Sequence, residues 1–139
     1  MACYRRCRGT SYRVLIVDDH PRARDMLATM ILLDDEKLDI LSICDAASGE
    51  EATQLAREYQ PHVVLMDIKM PGIDGLEAAR IIKEEHPSAA ILMVTAVEEP
   101  GQRQAATALG AAGFITKDRV ATDLVPMLSL LLGQSAMER

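Results

Sequence analysis

Short apolar runs recur along this chain with room for a helix between each pair. Val14-Leu15-Ile16-Val17 is the first, and Ile40–Cys44, His62–Met66 and Ala90–Val94 follow, with a weaker run at Gly113–Thr116. Runs of four to six residues that are apolar on both faces are what buried parallel strands look like. Helical spacing fills the gaps. Ala23, Met26, Leu27, Met30 and Ile31 fall at i, i+3, i+4, i+7 and i+8, and Pro21 suits the first turn of that helix. Ser48-Gly49-Glu50-Glu51 reads as a capping box, and Asp74 with Glu77 repeats the spacing ahead of Leu76, Ala79 and Ile82. Pro100–Leu109 is an Ala-rich helix with Gly110 just past its end. Leu124, Met127, Leu128, Leu131 and Leu132 form a last apolar stripe, in which Pro126 fits only if it lies in the first turn.

The resulting order is (βα)₅. Right-handed crossovers then give an α/β fold: a doubly wound, five-stranded parallel sheet between two helical layers. A length of 139 residues suits one domain, and the 49% apolar composition is enough for a core. With three Tyr, one Phe and no Trp, that core must be aliphatic, and a base-stacking nucleic-acid surface is disfavoured. Arg5, Arg6, Arg8 and Arg13 carry the first thirteen residues' charge. The rest holds 11 basic and 21 acidic residues, a net −10 that repels nucleic-acid phosphates. Cys3, Cys7 and Cys44 are an odd set without repeated spacing and read as reduced thiols. No apolar run is long enough to span a bilayer, and no signal-peptide pattern follows the basic N-terminus. Residues 1–12 are expected as a disordered tail.

In open parallel sheets, sites form beyond the carboxyl ends of the strands. Asp18 and Asp19 follow the first strand, Asp67 the third, Thr95 the fourth and Lys117 the fifth. Singly, each is commoner as a cap or a solvated surface group. Together, three carboxylates, a hydroxyl and an ammonium at one sheet edge make a site. Clustered carboxylates repel, and a hard divalent cation such as Mg²⁺ removes that cost. Such a site can accept a phosphoryl group by in-line attack of one carboxylate, with Lys and hydroxyl neutralising the remaining charge. Asp67, after the central strand, is the natural nucleophile. Thr95 and Lys117 are the natural phosphoryl ligands, and the small Ala96 keeps the approach open.

Four segments carry a resemblance: Arg13-Val-Leu-Ile-Val-Asp-Asp-His20, Val64-Leu-Met-Asp-Ile-Lys-Met-Pro-Gly-Ile-Asp-Gly75, Met93-Val-Thr-Ala96 and Gly110-Ala-Ala-Gly-Phe-Ile-Thr-Lys117. In order and spacing they resemble the receiver domains of two-component response regulators, over roughly residues 12–133. The resemblance implies a flavodoxin-like three-layer sandwich, with a receiver domain at 13–133 and a tail at 134–139. It implies Asp67 as phosphoacceptor, and Asp18, Asp19, Asp67 and the Lys69 backbone carbonyl as Mg²⁺ ligands. Thr95, Ala96 and Lys117 would bind the phosphoryl group, and Thr95 and Phe114 would form the switch. It further implies a cytoplasmic signalling protein with slow autodephosphorylation rather than an enzyme, phosphorylated by a sensor histidine kinase or a small phosphodonor. Homodimerisation on phosphorylation is a further expectation; membrane contact and direct nucleic-acid binding by this domain are not.

Two positions depart from the common pattern: Asp118 stands where many receivers have Pro, and Phe114 where many have Tyr. Lys117-Asp118 resembles the subgroup with helix-turn-helix (LuxR-type) output domains, which favours a piece of a longer DNA-binding regulator over a stand-alone one. An unphosphorylated adaptor is disfavoured by the complete acid set. A phosphohydrolase would want a second acid two residues after Asp67, where Lys69 stands. Asp18-Asp19-His20-Pro21 is no phosphate-cradling loop, which excludes a flavin site.

Overall fold

The computed structural model describes residues 3–5, 12–33 and 40–137. Among these residues six strands, β1 (Cys3–Arg5), β2 (Tyr12–Val17), β3 (Ile40–Ala46), β4 (Val63–Met66), β5 (Ala90–Thr95) and β6 (Gly113–Thr116), lie in the order β1-β3-β2-β4-β5-β6. Strands β2 to β6 pair in parallel, as the apolar runs predict. Helices α1 (Pro21–Leu33), α2 (Gly49–Tyr59), α3 (Gly75–Glu85), α4 (Gln102–Leu109) and α5 (Val120–Met137) connect or follow them, and one 3₁₀ turn (Lys117–Arg119) leads into α5.

The strand pleat divides the core in two. Val14 and Ile16 of β2 face one way, with Leu65, Val94 and Ile115, against Leu27 and Ile31 of α1 and Leu124, Leu128 and Leu132 of α5. Leu15 and Val17 face the other way, with Val64, Met66 and Met93, against Ala52 and Leu55 of α2, Ala79 and Ile82 of α3 and Ala106 of α4. Each fully buried Leu or Ile contributes roughly 1.5–3 kcal/mol, so both faces hold the sheet between its helices and fix its register. Capping sets the helix starts. Ser48 Oγ accepts from Glu51 N at 3.1 Å, and Asp74 Oδ1 accepts from Glu77 N at 2.9 Å.

Four details differ from the sequence expectations. Residues 3–5, expected in a tail, form β1, antiparallel to the β3 edge, with Cys3 opposite Cys44. An open edge offers unpaired backbone groups, which a short strand satisfies. Cys44 is disulfide-bonded rather than a free thiol. Arg6, Cys7, Arg8 and the remainder of that tail lie outside the described residues. Helix α5 continues to Met137, past the expected end at 133, and Pro126 lies inside it rather than in its first turn. Pro126 has no N–H to donate to the Thr122 carbonyl, but burial of Leu124, Leu128 and Leu132 carries the helix through. In α1 the buried stripe is Leu27, Ala28 and Ile31, while Met26 is exposed. The α1 face is set by the groove it enters, which periodicity alone does not specify.

Candidate functional site

The register brings the strand ends level. Val17 pairs with Met66 and Met66 with Met93, so Asp18 and Asp67 emerge side by side on adjacent strands. Backbone bonds extend the ladder to both: Asp67 N donates to Val17 O at 2.9 Å and Asp18 N to Ala46 O at 3.1 Å. Thr95 ends β5 opposite Thr116 of β6, which places Lys117 one residue further along the same edge.

Asp18, Asp67 and Thr95 are buried, at 1%, 5% and 2% exposure. Lys117 Nζ reaches over the edge to Asp18 Oδ2 at 2.6 Å and Asp67 Oδ2 at 3.7 Å. Asp67 Oδ1 accepts from Ile68 N at 2.9 Å, which leaves Oδ2 as the freer oxygen. Burial, and then the negative charge of Asp18, push the Asp67 carboxyl up to about 6, against the opposing pull of Lys117 and the Ile68 N–H. Thr95 Oγ1 has only a long contact, 3.4 Å, to Val97 O. Ala96 is exposed at the mouth, and Phe114 is partly buried beneath the Arg103 guanidinium, 4.6 Å from its ring centroid. Lys69 turns its side chain outward to pair with Glu99.

Asp18, Asp19, Asp67 and His20 each offer a ligand atom, all within 4.8 Å of one another. Asp19 Oδ1 is buried with the His20 ring nitrogen 3.2 Å away but no aligned donor, and Asp18 Oδ2 likewise has the Lys117 ion pair but no aligned donor. Buried carboxylate oxygens left in this state fit a cation. The residues named from strand ends therefore converge. A groove of about 690 Å³ between α3 and α4, lined by Leu76, Arg80 and Leu109 among others, lies apart from them.

Three supporting residues escaped the sequence reading. Arg24 donates to Asp45 Oδ2 at 3.0 Å and to the Asp18 carbonyl at 2.6 Å, so it orients the acidic turn. His20 joins the carboxylates. At Gly75 a Cβ would lie 1.8 Å from the Asp67 carbonyl oxygen, so only glycine lets α3 start against the phosphoacceptor candidate. Gly75 N donates to Ile68 O at 2.6 Å and locks that approach. The Asp67-to-Gly75 spacing was the available signal, but the close approach is a tertiary fact.

Residues 14–129 match the response regulator receiver domain family. The chain is 42% identical over 119 residues to the response regulator GacA of Pseudomonas protegens, covering 86% of this chain and 54% of that protein. The chain thus spans about half the length of the curated relatives it matches first. Among solved structures, the response regulator domain of Thermotoga maritima CheB superposes with a TM-score of 0.77 at 31% identity, covering 89% of this chain and 98% of that one. A LuxR-family two-component response regulator from Aurantimonas sp. gives a TM-score of 0.75 at 31% identity, covering 89% of this chain and 87% of that one. The chain belongs to the response regulator receiver domain family. Its class is that of phosphorylation-activated signalling switches, and its acidic cluster fits that chemistry. Among the described residues, no helix is long and apolar enough to cross a membrane.

Proposed function

We propose that this domain accepts a phosphoryl group on Asp67 from a sensor histidine kinase or a small phosphodonor, and that the acyl phosphate changes its surface to control an output domain or partner. The convergence of Lys117 on both Asp18 and Asp67 at the edge of a buried acid cluster carries this reading. Asp67 Oδ2 attacks phosphorus in line, because Oδ1 is held by the Ile68 N–H. The new O–P bond forms as the donor's P–N or P–O bond breaks, and the leaving atom takes a proton. Lys117 shifts from Asp18 to a phosphoryl oxygen, and Thr95 exchanges its long contact with Val97 O for another. Ala96 leaves the approach unobstructed.

Mg²⁺ would be held by Asp18, Asp19, Asp67 and the Lys69 carbonyl, and would neutralise the charge that gathers on the phosphoryl oxygens. Water attack on phosphorus later returns the carboxylate and releases phosphate, so the domain times a signal and is not an enzyme acting on others. It works in the cytoplasm, where kinase and phosphodonor are found. The acidic body does not bind nucleic acid itself; DNA control would belong to an output segment of the LuxR type. Phosphorylated copies would dimerise through the surface around residues 97–119.

The test is intact mass spectrometry after incubation with acetyl phosphate and Mg²⁺. One phosphoryl group should be added to wild type and none to Asp67→Asn. Undiminished labelling of Asp67→Asn would reject the assignment.

A further inference from the structure

His20 closes the Arg13–His20 segment and has no assigned part in the phosphoryl chemistry, yet it stands in the acid cluster. Its backbone is fixed at the start of α1: the His20 carbonyl accepts from Ala23 N at 3.1 Å and Arg24 N at 3.2 Å. Its own N–H donates back to Asp18 Oδ1 at 2.9 Å. The turn so formed carries the ring over the pocket. His20 Nδ1 lies 3.1 Å from Asp18 Oδ1 and 3.2 Å from Asp19 Oδ1, and a ring nitrogen of His20 is within 4.8 Å of an Asp67 oxygen. Two ligands at right angles on a metal with bonds of about 2.1 Å are separated by about 3.0 Å. The spacing of the imidazole nitrogen from both carboxylates is therefore that of neighbouring ligands on one ion.

We propose that His20 is a fourth side-chain ligand of this pocket, beside Asp18, Asp19 and Asp67, which makes it a site for nitrogen-accepting divalent transition ions, typified by Co²⁺, as well as for Mg²⁺. The inference rests on the reading of Asp18, Asp19 and Asp67 as a cation pocket. Mg²⁺ takes oxygen ligands and retains water, so it gains little from an imidazole. Co²⁺, Ni²⁺ and Zn²⁺ bind imidazole readily and exceed Mg²⁺ in affinity for mixed nitrogen and oxygen sets. An Nδ1–H that donates to Asp18 Oδ1 points where a metal would bind. The tautomer with its proton on Nε2 frees Nδ1 for a metal, and the side chain is 69% exposed. That exposure also means His20 can be replaced without disturbing the core. The simpler role, a ring that merely hydrogen-bonds Asp18, predicts no selectivity between metals.

Calorimetric titration of the full chain with CoCl₂ and with MgCl₂ separates these roles, with visible Co²⁺ absorption as a second readout. His20→Ala should weaken Co²⁺ binding by at least about tenfold while Mg²⁺ affinity changes by less than about threefold. The Co²⁺ spectrum should lose intensity or shift as the nitrogen ligand is replaced by water. Asp19→Ala should weaken both ions. Equal weakening of both ions in His20→Ala, or Co²⁺ binding that is unchanged or tighter, would overturn the assignment of His20. Unchanged binding of both ions in Asp19→Ala would instead reject the cation pocket itself.

Discussion

Asp67→Asn tests the electrostatics of the site without any phosphodonor. The folded protein holds the Asp67 carboxyl at about 6, raised from its ordinary 3.8 first by burial and then by Asp18. Each unit corresponds to about 1.4 kcal/mol, so the ionised group costs the fold at most about 3 kcal/mol at neutral pH. Asp19 and Lys117 of the cluster are 25% and 20% exposed to solvent, and screening there reduces this to roughly 1–2 kcal/mol. Asparagine keeps an oxygen for the Ile68 N–H and removes the charge, so in chelator Asp67→Asn should be more stable than wild type at pH 7.5 by roughly that amount. The sign with pH follows from the raised value. Between about 4 and 6 the folded wild type binds a proton that the unfolded chain has released. Wild-type stability from this group therefore falls as pH rises through that window, and the deficit is complete above about 6. The advantage of Asp67→Asn should shrink toward zero near pH 4. Urea denaturation of both proteins across pH 4 to 7.5, at constant ionic strength, measures the difference. An advantage that does not vary with pH would refute the strained-carboxylate account.

Other outcomes follow from the same geometry. Gly75→Ala forces a Cβ against the Asp67 carbonyl and should cost roughly 1–3 kcal/mol in a denaturation curve, with slower phosphorylation because the acceptor's loop must shift. Asp74→Ala removes the α3 cap and should cost about 1 kcal/mol, with no change in phosphorylation if the cap is only structural. Arg103→Ala removes the guanidinium over Phe114, worth about 0.5–1 kcal/mol, and should ease any inward turn of the ring. Fluorine NMR at Phe114, the only Phe of the chain, with beryllium fluoride as phosphoryl mimic should show the ring change environment, and a signal insensitive to the mimic would rule out the coupled movement.

The alternation of strands and helices was legible in the residue pattern, because buried parallel strands must be apolar on both faces and their connecting helices on one. The convergence of the candidate residues was legible too. Asp18, Asp67, Thr95 and Lys117 each end an apolar run, and a parallel sheet sends all such ends to one edge. Ser48 and Asp74 were legible as caps because a cap acts within four residues. Contacts between distant segments had no such local mark. The antiparallel β1, the disulfide at Cys44, the rotation of α1 that exposes Met26 and the survival of α5 through Pro126 depend on which surfaces meet across the sheet. So do the Arg24 brace under Asp18, the close approach that requires glycine at position 75, and the placement of His20 among the carboxylates. Periodicity records which residues leave water, whereas which groups they then touch is decided by packing energies summed over segments far apart in the chain.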